Sequence, residues 1–233
     1  MTSVWIAETF ASVQGEGVLA GVPSFFVRTS GCNLRCHFCD TPHASWDPEG
    51  EHLGIDALVA RAADHAAIRH VVVTGGEPLV AKGIEALVAG FVGRGYHVTI
   101  ETAGTVFVPL PGVALWSISP KLAGSTPAAD VVPEWAARHA ATRRRDDVVR
   151  AMMAAGAAYQ LKFVVSAPAD LAEIEELVAS YGAPPERVLL MPEGTSTMAL
   201  DRVAAWLVPV CMARGFRFAD RLQVRLFGHT RGT

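Results

Sequence analysis

The sequence has no surplus of positive charge. Its 233 residues hold 20 Lys and Arg against 23 Asp and Glu, a formal net charge of −3. With its basic residues dispersed, the chain lacks the electrostatic footprint of a nucleic-acid binder, and no nucleic-acid partner is expected. The one basic run, Arg143-Arg144-Arg145, is followed at once by Asp146 and Asp147, the pattern of a solvated mixed-charge face. Long apolar runs are missing too. The most apolar stretch, Ala151 to Val165, is interrupted by Gly156, Gln160 and Lys162 and falls short of the ~18 apolar residues of a membrane span. Met1 to Phe10 has no basic leader followed by an apolar stretch and a small-residue cleavage site. A cytoplasmic protein with no membrane association is therefore expected. Charged residues are only 18% of the chain while hydrophobic ones are 51%, enough apolar side chain for a sizeable core and too much for wholesale disorder. The length fits one domain spanning 1–233.

Turn residues divide the rest into alternating strands and helices. Phe25 to Arg28 reads as an apolar strand, Ser30 to Leu53 as a polar loop, and Ile55 to Ala66 as an amphipathic helix. The cycle repeats with the strand His70 to Val73 and the helix Ile84 to Val92, then the strands Val98 to Glu101 and Leu115 to Ile118. Pro133 opens a helix-compatible segment reaching Ala155, an added helical region at about 130–156. The strand Leu161 to Val165, helix Leu171 to Tyr181, strand Val188 to Met191, helix Leu200 to Arg214 and a last strand Leu222 to Leu226 complete the chain. This rhythm predicts an α/β fold: βα crossovers, about six parallel strands, and a sheet that could curl into a partial βα barrel with ligands at the strand C-termini.

Only four cysteines occur, and three fall within eight residues: Cys32, Cys36 and Cys39, spaced C-x3-C-x2-C. In a reducing compartment such bunching argues for metal ligation over disulfides. Three thiolates on a short loop can wrap an iron–sulfur cluster. Closed zinc sites and fully ligated electron-transfer clusters take four ligands, so three leave one iron open. His37 or Asp40 completing a zinc site, or buried spectator thiols, are the alternatives this spacing leaves. Cys211, near Val208 and Met212 in a late helix, reads as a core thiol. His43, His52, His65, His70, His97 and His139 have no paired spacing and read as surface or turn residues.

The cysteine loop followed by Gly75-Gly76-Glu77-Pro78 at the next strand end resembles the radical S-adenosylmethionine (SAM) superfamily. Ser12-Val13-Gln14-Gly15-Glu16-Gly17, Phe26-Val27-Arg28 and Cys39-Asp40-Thr41 narrow the likeness to the 7-carboxy-7-deazaguanine synthase family. Glu101-Thr102-Ala103-Gly104, Ser119-Pro120-Lys121, Leu161 to Val165 and Met191-Pro192-Glu193-Gly194 extend it over nearly the whole chain. The resemblance implies a lyase of queuosine and 7-deazapurine biosynthesis that contracts 6-carboxy-5,6,7,8-tetrahydropterin to 7-carboxy-7-deazaguanine with loss of ammonia. It implies a [4Fe–4S] cluster on Cys32, Cys36 and Cys39, SAM on the open iron, and a 5′-deoxyadenosyl radical that takes and returns one hydrogen. It also implies a reductant such as flavodoxin or ferredoxin, and a homodimer.

Site residues follow by the same likeness. Val13, Gln14, Gly15 and Thr74 would contact the pterin, and Arg28 its carboxylate, for which a planar guanidinium fork is suited. Thr41 would bind Mg²⁺, a hard cation that takes oxygen ligands. Gly76, Glu77, Ser119, Pro120, Lys121, Met191, Pro192, Glu193 and Gly194 would face SAM, with Glu77 as an acidic partner for the methionyl amine. Two rivals remain: a glycyl-radical activase, against which Gln14 to Gly17 argues, and a zinc-stabilised module without catalysis. A contact between the tail, Leu222 to Thr233, and the substrate is left open.

Overall fold

A computed structural model describes residues 2–233. Nine strands form one sheet: β1 (Ser3–Val13), β2 (Pro23–Thr29), β3 (Glu51–Gly54), β4 (His70–Gly75), β5 (His97–Thr102), β6 (Leu115–Ile118), β7 (Ala158–Val165), β8 (Val188–Pro192) and β9 (Arg217–Phe218). Their order is β3-β1-β2-β4-β5-β6-β7-β8-β9. From β2 to β9 every pairing is parallel, and β1 pairs antiparallel with both β2 and β3. The sheet is open, because β3 and β9 stand at opposite edges. The helices are α1 (Pro42–Ser45), α2 (Ile55–Ala63), α3 (Ile84–Val92), α4 (Pro133–Thr142), α5 (Asp146–Met153), α6 (Asp170–Tyr181), α7 (Thr197–Arg214) and α8 (Leu222–Phe227).

Side chains alternate across each strand, and that alternation separates core from cavity. Val71, Val73, Val98, Ile100, Trp116, Ile118, Leu161, Phe163 and Leu190 join the helices in one buried core. Their neighbours Thr74, Glu101, Ser117, Lys162, Val164 and Met191 line a cavity on the other face. In β1 the register slips between Ile6 and Glu8. One extra residue in a strand exchanges the two faces. Val4 and Ile6 are therefore core residues, while Glu8 and Phe10 turn into the cavity.

The structure departs from expectation in several places. Leu222 to Leu226 is the helix α8, not a strand: six residues are too few for periodicity to decide, and only Val224 is buried. The sheet instead ends on the two-residue β9. The segment from Pro133 is two helices, separated at Arg143–Arg145. Of these, α5 buries Val148, Val149 and Met152 in the main core as the crossover between β6 and β7, so α4 alone stands apart from the βα rhythm. The loop from Ser30 to Leu53 contains α1 and most of β3. His139 is fully buried rather than a surface residue. The arginine run is paired as a mixed-charge face: Arg143 with Glu173, Arg144 with Asp146 and Glu176, and Arg145 with Asp147. Cys211 is buried in the core. Among the described residues, no helix is long and apolar enough to cross a membrane.

Candidate active site

The cysteine loop leaves β2 and passes over the C-terminal ends of the parallel strands. Backbone bonds fix it there: Gly31 N–H donates to the Ala44 carbonyl, and Glu77 N–H to the Gly31 carbonyl, both at 2.9 Å. A Cβ at Gly76 would lie 2.3 Å from the Gly31 oxygen and 2.4 Å from the Ala44 oxygen. Glycine is what allows the end of β4 to approach the loop.

Cys32, Cys36 and Cys39 line one cavity of about 440 Å³. Leu34 N–H donates to Cys32 Sγ at 3.3 Å, and the Ser45 hydroxyl lies 3.0 Å from Cys39 Sγ. Burial pushes the Cys32 thiol up to about 12 and that of Cys36 to about 11. Left to themselves these thiols stay protonated, and a bound metal would displace their protons. Soft sulfur donors gathered on one loop at a cavity wall fit an iron–sulfur cluster.

The cavity floor carries paired charges. Glu16 accepts from Lys162, from Arg221 Nε at 3.2 Å and from Gln223 Nε2 at 2.8 Å. Arg221 also donates to Asp40 and, at 2.7 Å, to the Gly194 carbonyl. Burial alone would raise the Glu16 carboxyl, yet Lys162 and Arg221 hold it well below the usual carboxylate range. Burial likewise opposes the charge on Lys162, and Glu16 and Glu101 more than restore it. Glu101 accepts from Gln14 Nε2 at 3.1 Å and from the Thr74 hydroxyl at 3.0 Å. Arg28 meets Glu8 at 2.6 Å, so it both lines the cavity and forms an ion pair.

Of the residues expected to contact substrate or cofactor, Val13, Gln14, Gly15, Arg28 and Thr74 line the cavity, as does Thr41. Gly76, Ser119, Lys121, Met191 and Glu193 line it too. Glu77, Pro120, Pro192 and Gly194 do not. Glu77 is fully buried, and its carboxylate accepts from Thr102 Oγ1 at 2.7 Å, Ala103 N–H at 2.8 Å and Leu79 N–H at 3.2 Å. It ties the end of β4 to the end of β5 and offers nothing to the cavity. Sequence reasoning assigned no role to Glu16, Glu101, Lys162, Arg221 or Gln223. A polar residue inside an apolar strand, Glu101 in β5 or Lys162 in β7, was the available signal. Arg221 and Gln223 meet Glu16 from more than 200 positions away in sequence, and no local pattern announces that. The tail also reaches the cavity, with Arg231 donating to Glu49 at 2.9 Å and His229 Nε2 lying 3.0 Å from the Asp40 carbonyl.

The sequence profile of the radical SAM superfamily matches residues 26–113. The 7-carboxy-7-deazaguanine synthase of Rhodopirellula baltica is 48% identical over 234 residues, covering 100% of this chain and 90% of that protein. That of Halobacterium salinarum is 45% identical over 232 residues, covering 95% and 90%. The crystal structure of QueE from Escherichia coli superposes with a TM-score of 0.70 at 25% identity, covering 94% of each chain. Identity at this level along the whole length, in a chain that carries the superfamily's profile over its cysteine loop, makes it a member of the 7-carboxy-7-deazaguanine synthase family of radical SAM proteins.

Proposed function

We infer that this chain is a radical SAM lyase that forms 7-carboxy-7-deazaguanine from 6-carboxy-5,6,7,8-tetrahydropterin with loss of ammonia, a step of queuosine and deazapurine biosynthesis. The observation that carries this reading is the full-length identity to synthases of that name, joined to three thiols facing a cavity that also holds charged side chains. The same identity argues against a glycyl-radical activase and against a non-catalytic zinc module.

In this reading Cys32, Cys36 and Cys39 hold the [4Fe–4S] cluster. When bound, it supplies the electron that splits SAM at its sulfonium. The chain's own residues bind and orient. Gly76, Ser119, Lys121, Met191 and Glu193 border the SAM side of the cavity, and Lys121 Nζ is already tied to the Ser119 hydroxyl at 3.0 Å. Val13, Gln14 and Gly15 present main-chain and amide groups to a pterin edge. Arg28 offers its remaining guanidinium N–H groups to the carboxylate, and the Thr74 hydroxyl, which donates to Glu101, can accept from a pterin N–H. Glu16 and Asp40 neutralise Lys162 and Arg221 beneath the ligand, which keeps that floor charged but balanced. Thr41 is the first residue before α1; its hydroxyl makes no capping bond and lies 3.8 Å from Cys39 Sγ, and it offers an oxygen of the kind that suits Mg²⁺. A single-domain homodimer, a flavodoxin- or ferredoxin-type reductant and a cytoplasmic location complete the proposal.

Anaerobic incubation of the reconstituted protein with SAM, a reductant and carboxytetrahydropterin tests it. Formation of the deazapurine is expected, and a cluster-loaded protein that makes none would refute the substrate assignment.

A further inference from the structure

Arg35 lies between the first two cysteines and is buried, with 8% of its surface exposed. Its guanidinium has no carboxylate within ion-pairing distance among the described residues. It donates to the carbonyls of Cys32, at 2.9 Å, and Leu34, at 2.8 Å, and lies 3.9 Å from the centre of the Trp135 ring. Burying a cation without an anion costs several kcal/mol, on the order of the penalty for any unpaired internal ion. Such a charge persists where an anion arrives to meet it. Arg35 adjoins Cys36 in the chain and its guanidinium bonds the Cys32 carbonyl, so the thiolates of a bound cluster are the anions that this placement brings beside it.

What holds Arg35 is α4, the helix outside the βα rhythm. Trp135 on its first turn stacks on the guanidinium. One turn further on, His139 Nδ1 accepts the Arg35 backbone N–H at 3.1 Å, and its Nε2 meets the Ser125 hydroxyl at 2.9 Å. That hydroxyl lies 2.7 Å from the Leu122 carbonyl and donates to it. The chain of bonds then has one consistent direction: Nε2 carries the proton and Nδ1 accepts. The imidazole is neutral, since burial lowers His139 to about 4.

We propose that α4 is the clamp of the cysteine loop, with His139 and Trp135 positioning Arg35 so that its charge compensates the thiolate-bound cluster and eases its reduction. This rests on the cluster assignment above. His139 touches neither ligand nor cofactor and is a positioning residue. Arg35 acts through charge, because a cation held in a low-dielectric wall favours the more negative, reduced state of its neighbour.

Two measurements separate the inference from the reading beneath it. In the apoprotein, amide hydrogen exchange of residues 32–39 reports the clamp without any cluster. Exchange at Arg35 is expected to quicken at least tenfold in His139→Leu and to stay slow in His139→Asn, whose side-chain oxygen can still accept. Equal rates in wild type and His139→Leu would overturn the clamp. In the cluster-loaded protein, Arg35→Met is expected to lower the reduced-to-oxidised ratio at fixed potential at least tenfold, ~59 mV for one electron, with iron content unchanged. An unchanged midpoint potential at full iron loading would overturn the charge role. If Arg35→Met loses its iron, the potential of His139→Leu decides: a fall upholds the proposal and a value equal to wild type sinks it. Failure of the wild type to take up iron would instead refute the cluster assignment, with exchange still judging the clamp.

Discussion

Replacing Glu77 with glutamine keeps the size of the side chain and exchanges one acceptor oxygen for a donor. Its carboxylate accepts from three groups, Thr102 Oγ1, Ala103 N–H and Leu79 N–H. The hydroxyl can reverse its direction, but the two backbone N–H groups cannot. With the amide nitrogen in either position, one backbone N–H faces another donor in a site sealed from water. An unsatisfied buried donor costs about 1–3 kcal/mol. Relief of the buried charge offsets part of this, since burial raises the Glu77 carboxyl above its ordinary value. A net loss of about 2 kcal/mol is expected. For a protein of this size each kcal/mol moves the melting temperature by roughly 2–4 °C, so thermal unfolding of the apoprotein at neutral pH is expected about 4–8 °C lower. If the melting temperature holds while SAM binding collapses, Glu77 is a cofactor ligand after all and the reasoning here fails.

Two further outcomes follow from the site. Glu16→Gln leaves Lys162 and Arg221 short of their partner, a loss of about 3–5 kcal/mol at neutral pH, toward the lower figure because Glu101 remains 3.9 Å from Lys162. The Glu16 carboxyl is lowered in the folded chain from 4.5, so its contribution is complete above that value and is lost as pH falls through the folded one. Urea unfolding should therefore show the gap between wild type and variant narrowing below pH 4.5, and a constant gap would contradict the pairing. Gly76→Ala forces a methyl against two backbone carbonyls; a loss of about 1–3 kcal/mol and reduced iron uptake are expected. Gly54→Ala, where nothing lies within 4 Å of the added atom, serves as the control and should alter neither.

Much of this was readable in the sequence because local patterns set it. The valines of β4 and the spacing of α3 are signals contained in a few residues, and the cysteine loop with Gly75-Gly76 placed the cavity at the correct strand ends. What escaped depends on distant partners. β1 is a strand because β2 and β3 pair with it, and its bulge, which turns Glu8 and Phe10 into the cavity, leaves no mark in the residue pattern. α8 is short and alternates by chance. His139 is buried because Arg35 and Ser125, 104 and 14 positions away, use both ring nitrogens. Glu77 sits in the family motif, yet its role is set by β5, which the motif does not contain.

The central claim is that three cysteines hold a cluster with one iron left for SAM. Electron paramagnetic resonance of the anaerobically reduced protein, recorded before and after adding SAM, tests it most directly. A signal of about one unpaired spin per four irons that changes shape when SAM is added is the expected result. A fully loaded cluster whose spectrum ignores SAM would mean that the fourth iron is already ligated, and the account would be wrong.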